Sequence, residues 1–112
     1  VLGHAQCGGI EAYLSMRDDP ERTDMGGEFM GAWLNVLAPA FENVPTEGDR
    51  ADRLRAFEQA GVVKSLEHLM TFPFVSKAVE AGDLAIHGAW FDIGTGTLHA
   101  YDSESGEFNP TS

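Results

Sequence analysis

The stretch VLGHAQCGGI, residues 1–10, decides the expected fold because it joins a short apolar strand to a helix through a histidine and a cysteine. VLGH is apolar and ends at a turn-like segment, as the last residues of a buried strand do. From Gly8 the pattern changes, and Ile10, Tyr13 and Leu14 fall on one face of a helix. We expect parallel neighbours for such a strand, and parallel strands are joined by crossover connections.

Length and composition indicate one domain and exclude two classes of partner. The chain has 112 residues, is 43% hydrophobic, and carries 18 acidic against 7 basic residues for a formal net charge of −11. Nucleic acids and anionic membranes are bound through clustered Lys and Arg, so neither is an expected partner. No apolar run approaches the roughly 20 residues of a membrane span. The 112 residues contain no basic segment followed by an apolar run of the secretory type, so we expect no leader of that kind among them.

The cysteine content favours a reducing compartment. Cys7 is the only cysteine, so no intrachain disulfide can form. Disulfides are rare in the cytosol and common in oxidising compartments, and we therefore predict a cytoplasmic location.

Helices are predicted for the middle of the chain. Residues 18–27, with Pro20 and a Gly pair, are typical of a loop, and residues 28–44 carry a helical period that Pro39 interrupts. A long helix is predicted over residues 50–70, with its C-terminal half buried between other elements.

A shorter helix and a hairpin complete the expected organisation. The segment TFPFVSKAVEAG predicts a helix with Thr71 as N-cap, Pro73 in the first turn and Gly82 just past the end. In LAIHGAWFDIGTGTLHAYD, β-branched and aromatic residues flank Gly94–Gly96, which is a hairpin signal. Residues 103–108 are expected to form another turn, followed by a tail.

His4 and Cys7 are the candidate metal ligands. They lie three positions apart and carry the donor types that zinc favours, imidazole and thiolate. Gly8 and Gly9 lead into a helix, whose N-terminus favours a thiolate and lets a small anion reach backbone N–H groups. The spacing alone leaves an alternative open, a buried free cysteine beside a hydrogen-bonded histidine.

Three motifs taken together resemble the β-class carbonic anhydrases. They are VLGHAQCGGI at a strand end, TFPFV opening a late helix, and HGAWFDIGTGTLHAYD as a final hairpin, in that order over nearly the whole chain. The resemblance implies an α/β fold with a mostly parallel central sheet, flanking helices and a C-terminal hairpin. It also implies a zinc lyase that interconverts CO2 and bicarbonate, assembled as a homo-oligomer, either dimer or tetramer.

The resemblance implies roles for the two donors. His4 matches the histidine ligand and Cys7 the second cysteine ligand of a site whose fourth position holds water or hydroxide. The family's first ligand belongs to a Cys-x-Asp-x-Arg motif, whose Asp and Arg orient the hydroxide. That motif is absent here, since the chain has one cysteine. We therefore expect residues 1–112 to be the C-terminal part of a single domain, with the missing ligand and dyad upstream of Val1 or on another chain, and we assign no catalytic residue within the chain.

The remaining histidines and aromatic residues, which could in principle bind a metal or a ligand, are assigned structural roles. His68, His87 and His99 are not expected to bind metal, and His99 is interpreted as a cross-strand partner. Some members of the family hold an inhibitory bicarbonate with a hairpin tyrosine, and the matching residue is Phe91, which has no hydroxyl. Trp33 and Trp90 are expected in the core or an interface.

Two other functions remain open. The first is a non-catalytic remnant of this family that acts as an oligomerisation or interaction module. The second is a structural or redox role for the lone thiol. A second polypeptide that carries Cys-x-Asp-x-Arg would favour the enzyme.

Overall fold

The computed structural model describes residues 1–18, 32, 35–45 and 47–111, and it confirms an α/β fold. The elements in chain order are β1 (Leu2–His4), α1 (Gly8–Asp18), a 3₁₀ helix (Ala38–Asn43), α2 (Arg50–Met70), α3 (Pro73–Glu80), β2 (Ala89–Asp92), β3 (Thr97–Asp102) and β4 (Glu107–Pro110).

The first helix and the long helix form where the sequence predicts them, and the predicted interruption at Pro39 is confirmed. Pro39 lies in the first turn of the 3₁₀ helix, where its missing N–H does no harm. Most of the loop predicted over residues 18–27 lies outside the described residues, as do Phe29 and Trp33 of the predicted second helix.

The four strands form one sheet in the order β1-β2-β3-β4. Strand β1 pairs with β2 in parallel, whereas β2 with β3 and β3 with β4 are antiparallel. The C-terminal hairpin is therefore confirmed, and parallel pairing within the described strands is confined to β1 and β2. The tail predicted after residue 108 is wrong, because residues 107–110 form β4, where Phe108 packs on Tyr101 with ring centroids 5.1 Å apart.

The two hairpin turns have the same construction. Asp92 accepts the N–H of Gly94 on Oδ1 at 2.9 Å and the N–H of Gly96 on its backbone oxygen at 2.7 Å. Asp102 does the same for the N–H groups of Glu104 and Gly106, at 2.9 Å and 2.8 Å. The glycine that ends each turn has φ near +70°, a left-handed conformation that glycine adopts without steric cost. Each turn is thus specified by the five residues that form it.

Helix α2 is the central support of the sheet. Its N-cap is Asp49, which accepts the N–H of Ala51, and its inner face buries Phe57, Glu58, Gly61 and Val62. The expected burial of its C-terminal half is only partly right. Val63, Leu66 and Leu69 are half-buried and Met70 is exposed, because the described elements cover the helix mainly on its sheet side.

The N-cap predicted for α3 is wrong by one residue. Thr71 instead ends α2, where its hydroxyl donates to the carbonyl oxygen of His68 at 2.6 Å. Phe72 caps α3 because a residue that precedes proline is held in an extended conformation, here φ −83° and ψ 120°. Pro73 in the first turn is confirmed, and so is Gly82, which has φ +79° just past the helix end.

Two glycines let α2 approach the sheet closely. A Cβ on Gly3 would lie 2.7 Å from Cγ2 of Val62, and a Cβ on Gly88 would lie 2.8 Å from Cγ1 of the same valine. Both distances are shorter than a methyl contact, so only glycine fits without displacement of Val62. The glycine of the HG pair at residues 87–88 is therefore a packing requirement.

The main core joins α1, the 3₁₀ helix and α2. Its buried members are Ile10, Leu14, Phe41, Val44 and Phe57. Phe57 is fully buried and meets the rings of Tyr13 and Phe41 edge-on, at centroid distances of 5.4 Å and 4.8 Å. Edge-to-face contacts of this kind add to the stabilisation from apolar burial.

Strand β1 is not buried as its apolar sequence predicts. Leu2 is 68% exposed, because β2 is the one neighbour of β1 among the described strands. None of the helices in the described ranges is long and apolar enough to cross a membrane.

Candidate metal centre

His4 is the last residue of β1 and presents one ring nitrogen for coordination. Its Nδ1 lies 2.8 Å from the carbonyl oxygen of Ala5. A carbonyl oxygen can only accept, so Nδ1 carries the proton, and Nε2 of the neutral ring keeps a lone pair. Metal-binding histidines have this arrangement, in which the second ring nitrogen donates to a carbonyl or carboxylate.

Cys7 occupies the N-terminal cap of α1. Its carbonyl oxygen accepts the N–H of Glu11 at 3.0 Å, which closes the first turn of the helix. The side chain is a half-buried free thiol. The helix N-terminus places partial positive charge beside it, which suits an anionic ligand.

The two donors line one cleft of about 240 Å³ between β1, α1 and α2. The walls are largely apolar, and Ile10, Leu37 and Val62 contribute to them. An apolar cleft with a few convergent polar groups is the usual form of a small-ligand site. The predicted pair is thus brought together by the fold.

The donor set fits part of a zinc site. Imidazole and thiolate are zinc ligands, but protein zinc sites use three or four such ligands. In the part of the chain that the structure describes, no three His, Cys, Asp or Glu side chains come together to hold a metal ion. His4 and Cys7 therefore keep the status of predicted ligands, two of the set that zinc requires.

Sequence reasoning missed Glu58, which lines the same cleft as the two donors. This side chain is only 5% exposed, and it accepts the Cys7 N–H on Oε2 and the Trp90 Nε1–H on Oε1, both at 3.2 Å. Burial raises the pKa of the Glu58 carboxyl, although these two hydrogen bonds and the nearby His4 ring oppose the rise. The available signal was spacing, since Leu54, Glu58 and Val62 recur every four residues on one helix face.

The backbone between the donors adopts an unusual conformation. Gln6 has φ +58°, and it is the one residue other than glycine with positive φ in the described ranges. The left-handed region is unfavourable for a side chain with Cβ, and residues held there cluster at functional sites.

The remaining sequence assignments are accounted for in the structure. Trp90 is fully buried, and His99 is its partner on β3, with ring centroids 5.1 Å apart, as predicted. Asp18, at the end of α1, is not among the residues that line the cleft, and it accepts two hydrogen bonds from Arg53, each at 3.2 Å. Phe91 is half-buried on β2, level with His4.

Comparison with known proteins gives one consistent group of relatives. The family model for carbonic anhydrase matches residues 1–98. Beta carbonic anhydrase 3 of Arabidopsis thaliana is 31% identical over 105 residues, which are 91% of this chain and 40% of that protein. Beta carbonic anhydrase 5, chloroplastic, of the same plant is 28% identical over 96 residues, 83% of this chain and 31% of that protein.

Two solved structures share the fold. The β-carbonic anhydrase CcaA superposes with a TM-score of 0.81 at 22% identity, over 98% of this chain and 53% of that one. A tetrameric β-carbonic anhydrase from the ascomycete Sordaria macrospora gives a TM-score of 0.71 at 26% identity, over 88% of this chain and 49% of that one. The chain spans less than half the length of these curated relatives and about half of these solved chains.

Proposed function

We propose that this chain contributes His4 and Cys7 to a zinc site for the reversible hydration of CO2 to bicarbonate and a proton. The chain belongs to the β-carbonic anhydrase family, and the proposal follows from that membership. The observation that supports the proposal best is the placement of both donors on one cleft, with Nε2 of His4 free to coordinate. Zinc, when bound, supplies the Lewis-acid chemistry that makes a hydroxide nucleophile available near neutral pH.

In the proposed site, the residues of this chain hold the zinc ion and fix the orientation of its histidine ligand. His4 coordinates through Nε2 while its Nδ1–H stays on the Ala5 carbonyl, so the ring cannot turn freely. Cys7 coordinates as a thiolate at the cap of α1. The apolar cleft wall around them suits a small, weakly polar molecule such as CO2.

The proposed site is completed by a segment that carries Cys-x-Asp-x-Arg, supplied by residues upstream or by a partner chain. It would bring the third protein ligand and the Asp–Arg dyad. The exposed side of β1, with Leu2 largely open to solvent, is where we expect that segment to pair. We also propose a cytoplasmic homo-oligomer, dimer or tetramer; the S. macrospora relatives that match this chain are tetrameric.

Initial rates of CO2 hydration, followed by stopped flow with a pH indicator, test the proposal. The chain is assayed with zinc, alone and mixed with a β-carbonic anhydrase segment that carries the missing motif. We expect activity in the mixture, and we expect His4→Ala and Cys7→Ser to abolish it. The matched control is His87→Ala, an exposed histidine outside the cleft, which should leave the rate unchanged.

A rate that survives Cys7→Ser would contradict the assignment of Cys7. Absence of zinc-dependent activity in every mixture would favour the non-catalytic alternative, an interaction module with this fold.

A further inference from the structure

We propose that Glu58 is a positioning residue whose carboxylate fixes the backbone of residues 4–7, so that His4 and Cys7 face the same cleft. The inference rests on the proposed function, since it concerns the same two donors. It adds a residue on α2 that does not itself coordinate.

Glu58 connects three elements through its two oxygens. Oε2 accepts the backbone N–H of Cys7 at the start of α1, and Oε1 accepts the indole N–H of Trp90 on β2, each at 3.2 Å. The bonds span 51 and 32 residues of sequence. Glu58 therefore fixes the position of the Cys7 backbone relative to α2 and β2.

The burial of Glu58 argues for a specific role. It is the one buried polar or charged side chain among the residues that the structure describes. A buried carboxylate is unfavourable unless each oxygen is hydrogen-bonded, and an apolar side chain of similar size would pack there at lower cost. What the carboxylate supplies, and an apolar side chain cannot, is an acceptor for the two N–H groups.

The strained residue between the donors fits the same role. Gln6, at φ +58°, turns the chain between His4 and Cys7. A non-glycine residue stays in this conformation only when its surroundings hold it there. The hydrogen bond from the next residue, Cys7, to Glu58 is such a restraint.

Close packing of α2 on the sheet fixes the distance between the Glu58 side chain and the loop of residues 4–7. Val62, one helical turn after Glu58, fits against Gly3 and Gly88 at distances that leave no room for a Cβ. This contact holds α2 at a fixed height above β1 and β2. The carboxylate of Glu58 therefore contacts the loop of residues 4–7 from a helix whose position is fixed.

The test uses an amide in place of the carboxylate. Glu58→Gln keeps the size of the side chain but has one acceptor oxygen, so either Cys7 N–H or the Trp90 indole loses its acceptor. Trp90→Phe removes the competing indole donor. In the double variant, the single amide oxygen is free to accept from Cys7, and the loop should be restored.

Two readouts are measured on the full chain. The first is the hydrogen-exchange rate of the Cys7 amide by NMR without metal. The second is the affinity for Co2+ of the chain mixed with the segment that carries Cys-x-Asp-x-Arg, from the thiolate-to-cobalt absorption. We expect Glu58→Gln to speed Cys7 exchange by about tenfold or more and to weaken Co2+ binding by about 10- to 100-fold, as loss of a supporting hydrogen bond does at metal sites.

The controls separate positioning from general stability. Trp90→Phe alone leaves Oε1 of Glu58 without its donor and should lower global stability, but it keeps the bond from the Cys7 N–H to Oε2. Relative to global opening, we therefore expect Cys7 exchange to change by less than about threefold in Trp90→Phe, and the double variant to match it. Glu67→Gln, an exposed carboxylate on the same helix, should change neither readout. The amide exchange of Ser65 in the middle of α2 reports on global opening and should be equal in the unsubstituted chain and Glu58→Gln.

Unchanged Cys7 exchange in both Glu58→Gln and Glu58→Leu, the second of which offers no acceptor to either N–H group, would overturn the proposal. So would a double variant that is no better than Glu58→Gln, because Glu58 would then act only on overall stability. If the unsubstituted chain shows no cobalt absorption even when it is mixed with the segment that carries Cys-x-Asp-x-Arg, the proposed zinc function fails. The Cys7 exchange rates still decide whether Glu58 anchors the loop.

Discussion

The two ends of the sheet are held in place by different kinds of contact. In the β2–β3 and β3–β4 hairpins, Asp92 and Asp102 hold each turn through hydrogen bonds to residues two to four positions later. At the β1 end, the loop from His4 to Cys7 depends on Glu58, which is 51 residues away from Cys7. The hairpins are local structures, and the donor loop is a consequence of how α2 packs.

This difference predicts where the molecule is sensitive. A change that loosens α2 should disturb both the fold and the geometry of the donors. A change in the β3–β4 turn should stay in that turn, because the hydrogen bonds described for it run between residues 102 and 107. The function proposed for the chain therefore depends on how α2 packs in the core.

The largest effect on stability should come from truncating Phe57 on α2, compared with the same truncation of Phe108 in the hairpin. Phe57→Ala removes a fully buried ring that contacts Tyr13 and Phe41, and we expect a loss of about 3–5 kcal/mol in the free energy of unfolding. Phe108→Ala removes a half-buried ring that contacts Tyr101, and we expect about 1–2 kcal/mol. Urea denaturation measures both, and equal losses would contradict the comparison.

A smaller effect should follow from separating α2 from the sheet. Gly88→Ala places a methyl group 2.8 Å from Cγ1 of Val62 and 2.9 Å from Cδ1 of Leu66, so the helix or these side chains must shift. We expect a loss of about 1–3 kcal/mol in unfolding free energy. The matched control is Gly8→Ala, where a Cβ meets nothing within 4 Å and no loss is expected. Stability equal to that of the control would show that the close approach is not required.

The smallest effect should be the pH response of the β2–β3 turn. Burial raises the pKa of the Asp92 carboxyl, but hydrogen bonds from Gly94 and Thr95 and the charge of Arg55 outweigh it, so the pKa lies below its usual 3.8. A lowered folded-state pKa gives stability that is present above 3.8 and is lost as pH falls through the folded value.

An NMR titration of the Gly94 amide measures this response. Its shift should follow the Asp92 titration with a midpoint below 3.8, and Arg55→Gln should move the midpoint up slightly, since Arg55 is an exposed partner. A midpoint above 3.8 would contradict the sign. Cys7 should show no change over this transition if the two ends of the sheet are independent.

The locally specified parts of the fold could be predicted from the sequence. Helical period placed α2 at residues 50–70, and the glycines placed the hairpin and the end of α3. The N-cap of α3 was misplaced at Thr71 because the extended conformation that Pro73 imposes on Phe72 was given too little weight. Strand β4 was missed because residues 107–110 are too few and too polar to show a strand period.

The parts that depend on distant contacts could not be predicted in the same way. His4 and Cys7 were recognised from a local motif, and the structure places both on one cleft. Glu58 was not recognised, because its role follows from which helix face meets β1 and from the hydrogen bonds to Cys7 and Trp90. The exposure of Leu2 depends on which strands lie beside β1, which the apolar pattern of β1 does not encode.

X-ray absorption at the zinc K-edge, on the chain mixed with zinc and the segment that carries Cys-x-Asp-x-Arg, tests the central claim most directly, since it reads the atoms bound to the metal. We predict sulfur scattering at about 2.3 Å together with nitrogen at about 2.0 Å, with one sulfur fewer in Cys7→Ser and one nitrogen fewer in His4→Ala. A zinc environment that is the same in both variants as in the unsubstituted chain would contradict the assignment of these two residues as ligands.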